Sequence, residues 1–125
     1  MRLRDSEALL RAKRYSGAYY LAGYAVECAL KACISKQTKR YAFPPDRDLA
    51  GKIYTHNIQQ IAEIAKSPVD QESQADPQFG IYWAVVKDWN ERSRYEKQGR
   101  TKAKEIHTAI TEPQHGVLQC IERYW

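Results

Sequence analysis

YSGAYYLAGYAVECALKACIS, Tyr15 to Ser35, is apolar around most of a helical circumference yet carries one Glu and one Lys. At 100° per residue, Ala18, Leu21, Ala25, Cys28 and Ala32 form one stripe, and Tyr19, Gly23, Val26, Leu30 and Cys33 form a second beside it. A helix apolar on two adjoining faces must be covered by several neighbours, so this one is central to a helical bundle. A third stripe, Tyr20, Tyr24, Glu27 and Lys31, places Glu27 one turn before Lys31 in the favourable orientation for an ion pair. We read these two as a structural polar seam. Small residues at Gly17, Ala18, Ala22, Gly23, Ala25 and Ala29 let other helices approach closely; an interior Gly costs roughly 1 kcal/mol relative to Ala, which close packing offsets.

Outward from this helix the chain is a succession of helices and breakers. A short helix over about Ser6 to Lys13 is expected to merge with the central one. After Ser35 comes a basic, then Pro-rich connection, KQTKRYAFPPDRDLAGK, in which Pro44, Pro45 and Gly51 exclude a continuous helix. Thr55 is a cap for a helix bearing Tyr54, Ile58, Ile61 and Ala65 and ending before Pro68; a polar stretch, VDQESQAD, follows. Asp76-Pro77 is an N-cap acid followed by Pro at the first helical position, opening a helix through Phe79, Tyr82, Trp83, Val86 and Trp89. Gly99 marks a turn, Thr101 offers the next N-cap, and Ala103, Ile106, His107 and Ile110 form an inward face. Pro113 and Gly116 break that helix, and a last one spans about Val117 to Tyr124. No alternating pattern of useful length occurs. The prediction is an all-α fold, an antiparallel four- to five-helix bundle, in a single domain over residues 1–125.

The 20 Lys and Arg exceed the 15 Asp and Glu by a formal charge of +5, which suits an anionic partner such as RNA or a nucleotide. Basic residues gather at Arg2 to Arg14, Lys36 to Arg40 and Arg92 to Lys104, in patches rather than evenly. Cys28, Cys33 and Cys120 have no C-x-x-C spacing and read as buried thiols; His56, His107 and His115 lie far apart, so no metal and no cofactor are expected. The apolar run around Leu21 to Ile34 is interrupted by Glu27 and Lys31, which argues against a membrane span, and the expected location is cytoplasmic.

GAYYLAGYAVECALKA at Gly17 to Ala32, His-Asn-Ile at His56 to Ile58, SRYE at Ser93 to Glu96 and the closing HGVLQCIERYW together resemble the HEPN domain family. These are small helical domains associated with nucleotide and RNA chemistry, and the resemblance covers nearly the whole chain. It implies a HEPN-like bundle of the nucleotidyltransferase substrate-binding-subunit type, a homodimer, and a toxin–antitoxin or defence setting.

In the ribonuclease branch of that family an Arg and a His at the start of a late helix are separated by four to six residues. Arg100 and His107 match its loosest spacing. The chemistry would be metal-independent RNA cleavage, with His107 moving the proton of the attacking 2′-hydroxyl and Arg100 holding the phosphate as charge builds. The competing reading is a core histidine, because His107 shares its stripe with Ala103, Ile106 and Ile110, and a solvated Arg100. Where a partner nucleotidyltransferase silences such a toxin it modifies a tyrosine two residues after the His; this chain has Ala109 there.

Arg92, Arg94 and Tyr95 form a second constellation, able to hold a phosphate and stack a base. Structurally, Tyr95 would pack and Arg94 would pair with Glu27, as Lys31 also could. Lys36, Lys39 and Arg40 belong to a loop able to track a phosphate backbone. His56 and Asn57 are read as capping groups. Three functions follow: an RNA- or nucleotide-binding module, an endoribonuclease using Arg100 and His107, or an accessory subunit of a nucleotidyltransferase.

Overall fold

A computed structural model describes residues 2–41, 56–90, 92 and 96–123, and the regular secondary structure among them is helical throughout. The helices are α1 (Arg2–Arg11), α2 (Tyr15–Tyr41), α3 (Ile58–Ile64), α4 (Val69–Ala75), α5 (Pro77–Lys87), α6 (Arg100–Thr111) and α7 (Val117–Arg123). Six of these seven described helices answer to helices read from the sequence, and α4 is the addition. No described helix is long and apolar enough to cross a membrane.

Helix α2 is the spine and packs against α1, α3, α6 and α7. Of its two apolar stripes the second is the core face: Tyr19, Val26 and Leu30 are buried together with Ala18, Ala22 and Ile34. Leu21, Ala25, Cys28 and Ala32 of the first stripe are only half-buried. The helix also runs on to Tyr41, so Lys36, Lys39 and Arg40 lie in its last turns and not in a loop; the first breaker, Pro44, comes later. The connection containing Pro44, Pro45 and Gly51, and the residues Tyr54 and Thr55, fall outside the described residues.

Helices α1 and α2 do not merge. Lys13 adopts a left-handed backbone (φ 61°), and the chain closes α1 with Arg14 N–H donating to Leu9 O at 2.8 Å and Lys13 N–H to Leu10 O at 3.1 Å. This is a Schellman stop with Lys where Gly is usual. It folds α1 back on α2, where buried Ser6 donates from Oγ to Ala18 O at 2.7 Å. The same device ends α3: Lys66 has φ 56°, Ser67 N–H reaches Ala62 O at 3.0 Å, and Lys66 N–H reaches Glu63 O at 3.1 Å.

The polar stretch after Pro68 is helical as α4, which buries Val69 alone among its residues. Asp70 and Glu72 in its first turn favour the positive end of the helix, a signal outweighed in the sequence by the lack of apolar periodicity. Asp76 then caps α5, accepting from Gln78 N–H at 3.1 Å with Pro77 at the first position. Phe79, Trp83 and Val86 of α5 are buried, and Trp89 is buried just beyond its end. Helix α6 supplies Ala103, Ile106, Ala109 and Ile110, and α7 supplies Val117, Cys120 and Ile121, to one continuous core. Each large aliphatic side chain so buried contributes about 1.5–3 kcal/mol.

Candidate functional site

Helix α6 opens on Gly99, not on Thr101, and its first turn brings Arg100, Thr101 and Lys102 together without an acid. Gly99 has extended backbone and no side chain with which to cap, although its carbonyl accepts from Ala103 N–H at 3.1 Å. The leading N–H groups of α6 therefore have no side-chain acceptor from the cap, and the positive end of the helix dipole faces cations of its own turn. An anion placed there would meet both.

Arg100 also borders an open groove of about 810 Å³ between α5 and α6. Ile81, Tyr82 and Val85 form the α5 wall, while Arg100, Thr101, Lys104, Glu105 and Thr108 form the α6 wall. A smaller hollow of about 250 Å³ shares Val85 and Glu105 and adds Tyr19, Ala84, Asp88 and Lys102. Lys102 Nζ lies 6.0 Å from the centre of the Tyr19 ring. One wall is apolar and aromatic and the other carries two cations, Arg100 and Lys104, against one acid, Glu105, which suits a ligand that is both flat and phosphorylated.

His107 is not part of this groove. It lies seven residues after Arg100, about 10 Å along the axis at the helical rise, and its Nε2 sits 3.6 Å from Glu7 Oε1 of α1. Its Nδ1 is buried with no hydrogen-bond partner among the described residues. Helical periodicity puts Arg100 and His107 on nearly one line of α6, yet Arg100 opens toward α5 while His107 is held toward α1.

Of the other expected anion contacts, Arg92 is exposed, with its N–H donating to Asn90 Oδ1 at 2.8 Å. Arg94 and Tyr95 fall outside the described residues, as do the side chains of Lys39 and Arg40; Lys36 is exposed. Lys104 and Tyr82 enter the groove through α5 and α6 packing, a juxtaposition that no local motif announces.

Glu27 is buried, its side chain 1% exposed, and its Oε1 accepts from Lys31 Nζ at 2.9 Å and from His56 Nδ1 at 2.6 Å. His56 is therefore not a cap. Asn57 alone caps α3, accepting from Gln60 N–H at 3.0 Å, and this leaves the imidazole to cross to α2. The partner of Glu27 proposed in the loop, Arg94, lies outside the described residues.

His115 Nδ1 lies 2.5 Å from Asp76 Oδ2, and that hydrogen bond, more than the backbone N–H groups of Phe79 and Gln78, holds the Asp76 carboxyl below its ordinary range. Burial pushes the Cys120 thiol up to about 11, with Glu72 adding to it and Arg123 opposing. Burial likewise raises Cys33, against the pull of Lys36. Cys28 and Cys33 are half-buried rather than fully buried, and all three thiols are free. Among the described residues no group of His, Cys, Asp and Glu is placed to hold a metal ion. No family model, curated protein or solved structure matches this chain.

Proposed function

We propose that this chain is a HEPN-type binding module that takes RNA or a nucleotide in the groove between α5 and α6 and does not cleave it. The observation that carries this reading is the cationic, acid-free first turn of α6 beside the apolar wall of Ile81, Tyr82 and Val85. Phosphate oxygens would meet the N–H groups of that turn with Arg100 and Lys104, and a base would lie against Tyr82. His107 is turned to Glu7 of α1 and is not part of the groove wall, which favours binding over cleavage there. The toxin–antitoxin or defence setting and the homodimer belong to the same proposal and rest on the sequence resemblance.

The test is binding of labelled single-stranded RNA at several salt concentrations, with the RNA recovered afterwards in EDTA. Arg100→Glu with Lys104→Glu is expected to weaken binding and to flatten the slope of log affinity against log salt by about 0.7 per lost phosphate contact. Unchanged affinity in the double variant would remove the groove from consideration. Strand cleavage by wild type and not by His107→Ala would restore the ribonuclease reading.

A second reading, the accessory subunit of a nucleotidyltransferase, is favoured by Ile81. It is 59% exposed, and it is the large hydrophobic side chain that stands out among the described residues. An Ile on a groove wall fits a protein partner as well as a base.

A further inference from the structure

The basic clusters at Arg2 to Arg14 and Arg92 to Lys104 stand at opposite ends of the sequence and meet in the fold. Ser16, at the start of α2, accepts from Gln98 N–H at 2.9 Å and donates from Oγ to Gln98 O at 3.5 Å, a contact across 82 positions. It sets the corner between α1 and α2 beside the segment that leads into α6. Further along the same edge Glu7 of α1 lies 3.6 Å from His107, so α1 runs against α6.

From each of these contacts the chain leads to cations. Lys13 and Arg14 come just before Ser16, Arg11 lies one turn beyond Glu7 on the same line of α1, and Lys97 and Arg100 flank Gln98 and Gly99. All five are exposed. Acids enter the same contacts only as partners: Glu96 accepts from Gln98 Nε2 at 3.2 Å, and Glu7 faces His107. The negative end of α1 accommodates its own cations, but the start of α6 is a positive end, where Arg100 is electrostatically disfavoured unless an anion comes to it.

Arg100 joins this corner to the groove. At 100° per residue it is turned about 20° from His107, which faces α1, and about 40° from Lys104, which lines the groove. It therefore stands between α1 and the groove. A path from the Tyr82 wall across α6 to α1 covers two interaxial distances, about 16–20 Å. A single nucleotide would fill the groove and leave Arg11, Lys13 and Arg14 unused, whereas a strand carries a phosphate on every nucleotide and can neutralise them in succession.

We infer that the ligand of the groove is single-stranded RNA and not a mononucleotide, and that its backbone runs from the groove over Arg100 onto Arg11, Lys13 and Arg14. This rests on the groove binding proposed above and names its ligand class and the path of the strand.

The experiment is fluorescence anisotropy of two end-labelled oligoadenylates, a dinucleotide and a dodecanucleotide, with the full chain at several salt concentrations. Lys13→Gly with Arg14→Gln removes two cations from the corner, and Gly keeps the left-handed backbone of Lys13. Lys66→Gly with Arg123→Gln removes the same charge at the other left-handed stop and at the end of α7, and serves as the control for net charge. Native helicity of each variant is checked by circular dichroism. The corner variant is expected to weaken dodecanucleotide binding tenfold or more, to flatten its salt slope by about 1.4, at about 0.7 for each of two phosphates, and to leave the dinucleotide unchanged. The control should bind both as wild type does, and Arg100→Glu with Lys104→Glu should weaken both. Wild-type dodecanucleotide binding in the corner variant, with both ligands weakened in the groove variant, overturns the strand path and leaves the groove reading standing. Equal losses in the corner and control variants overturn the path as well. Unchanged binding of both ligands in the groove variant removes the groove reading and this inference with it.

Discussion

Glu27 makes unequal demands on its two partners, because the charge that is difficult to leave unpaired is the buried one. Lys31 and His56 can turn to water, whereas Glu27 cannot. Removing Lys31 should therefore cost more than neutralising Glu27. In urea unfolding we expect Lys31→Met to lose about 2 kcal/mol, less than a wholly unpaired buried charge because His56 still bonds Glu27, and Glu27→Gln about 1 kcal/mol, with the double variant recovering part of the first loss. Equal losses would show that the burial of Glu27 is not what sets the energetics. Asp76 gives a pH prediction. Its folded carboxyl titrates below the unfolded value of about 3.9, chiefly through His115, so folding favours the ionised form. That contribution is fully present above the unfolded value and is lost as pH falls through the folded one. Unfolding midpoints measured from pH 5 down to pH 2.5 should fall less steeply for Asp76→Asn than for wild type.

Two glycines show how elements meet. Replacing an interior helical Gly by Ala usually gains up to about 1 kcal/mol, but a Cβ at Gly23 would overlap the indole of Trp89, which is itself buried and lies 5.7 Å from the Tyr20 ring centre. We expect Gly23→Ala to reverse the sign and cost about 1–3 kcal/mol through overpacking, with altered tryptophan fluorescence in the folded protein. A thermal midpoint at or above wild type would show that Trp89 can move aside. Gly99 is the opposite case. A Cβ there meets nothing within 4 Å and the backbone is ordinary, so Gly99→Asp should cap α6 and gain a few tenths of a kcal/mol. The same carboxylate would occupy the N–H groups proposed for phosphate. A more stable variant with weaker RNA binding is the expected pair of results, and tighter RNA binding would place the anion elsewhere. Both substitutions turn on which helix end or face a neighbour covers.

At the scale of the whole molecule, α2 binds the bundle together and α5 and α6 leave a groove between them. The patchy +5 charge is consistent with anions approaching that face, but charge alone could not say which of the three basic clusters lies beside a cavity. Local readings succeeded where one element's own residues carried the information. The all-helical class, the Asp76-Pro77 start and the pairing of Glu27 with Lys31 are visible within a single turn or a single hydrophobic period. They failed where a weak local signal competed with a strong one. Lys13 and Lys66 hold left-handed stops that favour Gly, and α4 has too few apolar residues to show a period.

What the sequence determined by itself is what lies within reach of a helical turn: the apolar stripes of α2, the cap of α5, and a seam with Glu27 one turn before Lys31. Only the tertiary structure decided that His56 crosses to Glu27 from 29 positions away, that His115 reaches Asp76 from 39 away, and that Arg100 and His107 diverge toward different helices. Spacing along a helix sets the direction in which a side chain leaves its own axis. Whether that direction meets a groove, a carboxylate or a neighbouring core depends on where the other helices pack, and that is fixed by the burial of the whole apolar surface at once.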